Sequence, residues 1–346
     1  MEKIISFIIP SYNVEKYLVT CLESFLVPSL LKQFEVIVVD DGSTDKTSEI
    51  ANSYVERYPD TFYLIKKSNG GHGSAINTGS KFAKGKFFKV VDADDWIVTE
   101  NLEELIGQLL ICDADVVLTP FHMVNKSTGK REIRRMYIDN YENTFTLNQI
   151  MSNWKSFDRC MTFHGITYKR SFYNEYRHEL PEKIFYEDQE YASIPCCHAR
   201  SIQALNIFIY QYLIGNNEQS VAAHNQLKRI NHIKRVALNT VKYYSVHLNL
   251  EPSEKNYLSM KIQGILLSYY TTACIVNPDK REGRLACKKT NAQIKRLSPE
   301  LFQQVSKKFK VYQLFSFLNI NKKQYDCLLQ LRFYNRLRKN HDRINE

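Results

Sequence analysis

The chain has 346 residues, 44% of them hydrophobic and 24% charged, which excludes a largely disordered or collagen-like protein and suits a main domain with an appendage. The formal charge of +10 is not evenly spread: residues 1–277 hold 30 Lys/Arg against 31 Asp/Glu, and residues 278–346 hold 17 against 6. A near-neutral body therefore carries a basic C-terminal region, and no recognition motif for nucleic acid accompanies that charge.

Residues 4–10 form a nearly continuous apolar run, as expected of a strand buried on both faces. A helix is predicted from Val14, with Val14, Leu18, Cys21, Leu22 and Phe25 on one side. Residues 34–39 read as a second strand, broken by Asp40-Asp41-Gly42-Ser43, and Thr44 or Asp45 caps a helix ending near Tyr58-Pro59. Residues 62–65 are a third strand, followed by the Gly-rich loop 69–73 and a helix to Ala83. Residues 87–91 are a fourth strand, ended by Asp92-Ala93-Asp94-Asp95. A capped helix runs from Thr99 to Leu110, and residues 115–118 are a fifth strand. This alternation predicts a parallel α/β sheet. After Pro120 regularity fades. Residues 122–145 read as a hairpin or flexible loop, 146–225 as short helices and strands, and the chain from 230 as helical, with a break at Glu251-Pro252-Ser253.

No run reaches the roughly 18 apolar residues of a membrane span; residues 264–276 come nearest and contain Ser268, Thr271 and Thr272. The apolar patch before Pro10 is too short for a signal-peptide core. The eight cysteines lack metal-binding spacing, so reduced and mostly buried thiols are expected in a cytoplasmic protein.

Acidic clusters stand at the C-terminal ends of the predicted strands, the edge where open α/β sheets bind ligands. Asp40 and Asp41 follow the second strand; a carboxylate there accepts hydrogen bonds from a base or ribose, or simply ends the strand in a capped turn. Asp92 and Asp94 are two apart in extended chain and face one way, so they suit a hard divalent cation that would neutralise a diphosphate; a solvated turn is the competing reading. Asp95 caps the next element, and Trp96 is either core or a pocket wall. Glu187-Asp188 is a further pair, and such a carboxylate opposite a leaving group can take a proton from an attacking hydroxyl; an acidic helix start is the bland alternative. Between the first two clusters, Lys67-Ser68-Asn69-Gly70-Gly71-His72-Gly73 lets backbone approach a ligand. The loop follows the third strand and has Ile76 where a dinucleotide fingerprint needs glycine, which excludes that fingerprint.

In this order, Phe7-Ile8-Ile9-Pro10-Ser11-Tyr12-Asn13, Val38-Val39-Asp40-Asp41-Gly42-Ser43-Thr44-Asp45, Asn69-Gly70-Gly71-His72-Gly73 with Asn77, Val91-Asp92-Ala93-Asp94-Asp95 and Glu187-Asp188 resemble the family 2 glycosyltransferases of GT-A fold. The resemblance covers residues 4 to about 225 and implies a Rossmann-like, mostly parallel sheet with a C-terminal helical region. It implies a catalytic domain over 1–227, with a nucleotide-sugar half (1–120) and an acceptor half (121–227), and a basic helical domain over 228–346. By the same resemblance, Pro10 and Tyr12 line the base pocket, Asp40 bonds the base, and Asp41 is a weaker contact. Lys67, Asn69, Gly71, His72, Asn77, Asp92 and Ala93 complete the nucleotide-sugar set. Asp92 and Asp94 take Mn²⁺ or Mg²⁺, with His224 as a further metal ligand and His198 second to it. Asp188 is the catalytic base, and Glu187 orients the acceptor. The implied reaction is an inverting transfer from a nucleotide-sugar, a UDP-sugar by preference, to a hydroxyl of a surface-polysaccharide precursor, glycolipid or glycoprotein. A sugar-nucleotide nucleotidyltransferase would carry a Gly-rich basic loop after the first strand, where Pro10-Ser11-Tyr12-Asn13 stands. A silent, partner-binding relative would not need Asp92, Asp94 and Asp188 together.

The apolar residues of 305–320 spread around a helix and form no single stripe. That favours packing or a homo-oligomer contact through 278–346 over peripheral contact with the inner membrane face.

Overall fold

The computed structural model describes residues 3–141, 143–215 and 223–330. Among the described residues, twelve strands form two sheets: β1 Ile5–Ser11, β2 Phe34–Asp40, β3 Phe62–Lys66, β4 Phe87–Val90, β5 Trp96–Ile97, β6 Val116–Leu118, β7 Phe121–Asn125, β8 Arg131–Arg134, β9 Thr144–Phe145, β10 Ile166–Lys169, β11 Ile202–Ala204 and β12 Tyr210–Ile214. The large sheet has the order β3-β2-β1-β4-β10-β6-β11-β9, and the small one β5-β12-β7-β8. β1 pairs in parallel with β2 and β4, and β2 with β3. β10 enters antiparallel between β4 and β6, so β6 again runs with the parallel set. The sheet is thus mostly parallel, as the alternation predicts.

All seven residues of both β1 and β2 are buried, which explains their mostly apolar character, and the buried Ser6 hydroxyl donates to Glu35 Oε1 at 2.6 Å. Phe7 packs on Phe25 at 4.8 Å and Phe34 at 6.0 Å between ring centroids. Each such ring contributes roughly 1.5–3 kcal/mol by leaving water. Helices α1 Leu18–Glu23, α2 Thr47–Arg57, α3 His72–Phe82 and α4 Leu102–Ile111 connect the strands.

Two helix starts differ from expectation. α1 begins at Leu18 because Asn13 is left-handed (φ 53°) and residues 14–17 close a turn instead. Their main chain is held from the next loop, with Thr47 Oγ1 accepting from Val14 N–H and Asp45 Oδ2 from Glu15 N–H. Thr99 does not cap α4; its hydroxyl donates to Ser24 O at 2.8 Å, and a 3₁₀ turn, Thr99–Asn101, precedes the helix. The 122–145 stretch holds a hairpin of β7 and β8, turned where Asn125 Oδ1 accepts from Ser127 and Thr128 N–H.

The chain divides into two compact units, Met1–Gln219 with Asn249–Leu258, and Ser220–Leu248 with Ser259–Glu346. In the first, Tyr257 OH donates to Ala192 O at 2.7 Å and ties the returning segment down. In the second, helices Ile230–Val246, Lys280–Leu297 and Pro299–Phe317 pack with a π-helical turn, Thr271–Val276. None of the eight cysteines forms a disulfide, and only Cys327 is exposed. Among the described residues, no helix is long and apolar enough to cross a membrane.

Candidate active site

Parallel register brings the acidic loops to one edge. Ser11 stands opposite Asp40, Asp40 opposite Lys66, and Ile8 opposite Val90, so the chain after each strand leaves the sheet on the same side. Pro10 and Ala93 are buried there, while half of Tyr12 is exposed.

Asp40 is buried and its carboxylate is already engaged. Oδ1 accepts from Ser43 N–H at 2.9 Å, and Oδ2 accepts from the Ser48 hydroxyl. Asp41, also buried, accepts from Lys67 Nζ at 2.7 Å and from the N–H groups of Gly70 and Gly71 at 2.9 and 2.7 Å. Lys67 is thus the counter-ion of Asp41, and the pair fixes the glycine loop, with Asn69 exposed on it.

Gly71 (φ 89°) adopts a left-handed backbone that lets His72 open α3. His72 lies between two carboxylates, with Nε2 2.9 Å from Asp92 Oδ1 and Nδ1 2.6 Å from Glu187 Oε1. Burial disfavours its protonation, but Asp92 and Glu187 outweigh this and hold the imidazole well above its usual pKa, so both ring nitrogens donate. For Asp92, burial raises the acid, and the charge and hydrogen bond of His72, with His164, more than reverse it. Glu187 is buried, and its second oxygen, Oε2, has no hydrogen-bond partner.

A long-range clasp delivers Glu187 and Asp188. Asn77, which the resemblance places at the donor, is buried instead against main chain: its amide donates to Leu180 O at 2.9 Å and accepts from Leu180 N–H at 3.0 Å. Lys183 N–H donates to Gly70 O at 2.6 Å, and Ser74 Oγ to Glu182 Oε1 at 2.8 Å. Lys183 and Tyr186 are both left-handed, turning the chain into the short helix Asp188–Tyr191. Asp188 is half-buried, and burial, then the Glu187 charge, push its acid up to about 6. Gly73 allows this close approach: a Cβ there would meet Pro181 O at 2.9 Å and Glu187 Cγ at 3.0 Å. Gly→Ala inside a helix normally stabilises by about 1 kcal/mol. Here the backbone oxygen must move, so Gly73→Val should destabilise by about 1–3 kcal/mol and displace the acidic pair. Chemical denaturation beside turnover tests this; unchanged stability and turnover would refute it.

Asp94 is half-buried next to these groups, and burial, then Asp92, push its acid up to about 6. Asp95 is fully enclosed, accepting from Tyr210 OH at 2.6 Å and Leu213 N–H at 2.7 Å, so it anchors β12 and does not cap the following element. Asp92, Asp95 and His164 offer ligand atoms all within 4.8 Å of one another. Burial lowers His164 to about 4, leaving its imidazole neutral. Carboxylates beside a neutral imidazole form an O/N donor set that fits Mn²⁺ or Mg²⁺.

His164 was not singled out in the sequence, where a lone His before a short strand carries no signal. Neither was Lys89, fully buried on β4, whose Nζ donates to His164 O at 2.7 Å and Ile166 O at 3.2 Å and fixes the loop that presents the imidazole. Burial lowers Lys89 to about 7. His198 stands at the opposite edge of the sheet, in a cavity with Asp115 and Lys169, stacked on Tyr176 and 3.2 Å from Glu254. The side chain of His224 lies outside the described residues.

The family model described as glycosyl transferase family 2 matches residues 6–177. Glycosyltransferase GlyG of Streptococcus pneumoniae serotype 4 is 36% identical over 129 residues, covering 37% of this chain and 42% of the relative. Glycosyltransferase GlyA of the same organism is 30% identical over 181 residues, covering 51% and 26%. This chain therefore spans less than half of either relative. The crystal structure of Staphylococcus aureus TarS 1–349 in complex with UDP-GlcNAc shares the fold, with a TM-score of 0.61, 20% identity and coverage of 91% of this chain and 89% of that one.

Proposed function

This chain belongs to glycosyl transferase family 2, and on that premise we propose that it transfers a sugar, with inversion, from a UDP-sugar to an acceptor hydroxyl. The acceptor class is a surface-polysaccharide precursor, a glycolipid or a glycoprotein. The observation that carries this reading is the union of Asp92 and Glu187-Asp188 in one acidic basin through His72.

In this reading the acceptor O–H gives its proton to the Asp188 carboxylate as its oxygen bonds the anomeric carbon. The bond from that carbon to the diphosphate oxygen breaks on the opposite face, and its electron pair leaves with the nucleoside diphosphate. Glu187 offers its partnerless Oε2 to an acceptor hydroxyl, while His72 fixes its other oxygen. Asp41 and Lys67 keep the glycine loop in shape beside the donor. Asp92 and Asp94 would hold a divalent cation, with His164 as the nearby nitrogen donor. Such a cation neutralises the departing diphosphate.

Calorimetric titration of UDP, with and without Mn²⁺, tests the donor side. The native chain should bind UDP at least about tenfold tighter with Mn²⁺, and Asp94→Ala should lose that increment. Equal affinity in both conditions would remove the metal from the proposal. UDP-GlcNAc, the ligand in the TarS structure, is the first donor to assay for hydrolysis and transfer.

A further inference from the structure

Helix Pro299–Phe317 has two apolar stripes. Leu301, Val305, Phe309, Tyr312 and Ser316 are buried and fall within about 80° of one another at roughly 100° per residue. Val311, Leu314, Phe317 and Leu318 are 45%, 54%, 77% and 60% exposed. With Lys307 and Lys310 they occupy a sector of about 120° centred opposite the buried one. The spread of apolar residues around 305–320 is thus the sum of a packed face and a bare face, which explains why no single stripe is visible in the sequence.

The bare face is cationic. Lys307 and Lys310 alternate with its apolar side chains, long enough to lay their methylenes along it and keep their ammonium groups outward. The next segment adds Lys322 and Lys323 and half-exposed Leu328 and Leu329; of these lysines, Lys322 is paired with Asp326 at 2.6 Å. The sequence beyond, 331–346, has five Lys/Arg against two Asp/Glu. Glu300 lies on the same azimuth, two turns away, beside Tyr244.

We infer that this face docks on an anionic lipid surface. Four exposed apolar side chains interleaved with lysines match the two components of such a surface, acyl chains beneath negative headgroups. Pairing this face with itself across a two-fold axis would bring two lysine-bearing surfaces of like charge together, which disfavours a homodimer here. The inference does not depend on the donor chemistry.

Co-sedimentation of the full chain with vesicles tests it. Phosphatidylcholine vesicles with about 30% phosphatidylglycerol should bind the chain, and pure phosphatidylcholine should not. The double variant Leu314→Gln/Phe317→Gln should lower the bound fraction about tenfold. Its circular dichroism and melting should be unchanged, because both side chains are exposed. Lys307→Gln/Lys310→Gln should weaken binding and flatten its salt dependence. Binding that ignores both pairs, or that is equal on neutral vesicles, overturns the inference. So does a dimer in light scattering that Leu314→Gln/Phe317→Gln returns to monomer.

Discussion

Asp188→Asn should lower transfer by about 10²–10⁴-fold while UDP binding stays within twofold of the native chain, since the amide keeps the shape and loses the base. The pH profile carries the same assignment. Burial, reinforced by Glu187, pushes the Asp188 acid up to about 6, and the working form is the carboxylate. Turnover should therefore be flat above that value and fall about tenfold per unit below it. Stability moves the other way. An acid whose folded pKa is raised destabilises the fold fully above that pKa, and the penalty disappears below the unfolded value near 3.8. Asp188→Asn should thus gain about 1–2 kcal/mol at neutral pH, after discounting for partial exposure. A variant that keeps turnover within tenfold, or loses both turnover and stability, removes Asp188 from the role of base.

The second large effect is expected at His72. His72→Gln leaves Asp92 and the buried Glu187 without the cation between them. Breaking a buried pair costs 3–5 kcal/mol as a rule, and the imidazole is 32% exposed, so about 2–3 kcal/mol is expected here. Turnover should fall by about 10²-fold, because both carboxylates lose their shared restraint. The sign of the linkage is distinctive. Asp92 and Glu187 overcome burial and raise the folded pKa of His72, so its contribution is complete below the unfolded value of 6.5 and fades as pH climbs through the raised one. Urea denaturation of native and variant chains should show a gap that is widest in mild acid and narrows in alkali. A gap constant across that range would mean that the imidazole is held only by shape.

The first strands were legible because strand signals are local: apolar runs at 4–10 and 34–39, interrupted only by Ser6 and Glu35, describe segments buried on both faces, and they match β1 and β2. The acidic residues stand at strand ends for the same reason. What escaped was every feature made by distant partners. The bonds of Asn77 to Leu180 and of Gly70 to Lys183 join segments more than a hundred residues apart, and no periodicity reports them. The engagement of Asp41 by the glycine loop looks, in sequence, like any carboxylate in a turn. His164 and Lys89 are informative only together, since the buried ammonium holds the carbonyl of the residue whose ring faces Asp92 and Asp95. The late start of α1 has a similar origin, with side chains from the following loop taking main-chain groups that a helix would otherwise use.

The clasp between the glycine loop and residues 180–187 also limits how this protein can change over generations. Gly70, Gly73, Ser74 and Asn77 on one side and Leu180, Pro181, Glu182, Lys183 and Glu187 on the other fit by direct touch. A substitution on either side is tolerated only when the opposite side already accommodates it. A bulkier loop at 70–77 is therefore inherited together with changes near Glu187 and Asp188, whereas Ser127 and Thr128, exposed on the hairpin turn, have no such opposing surface to match.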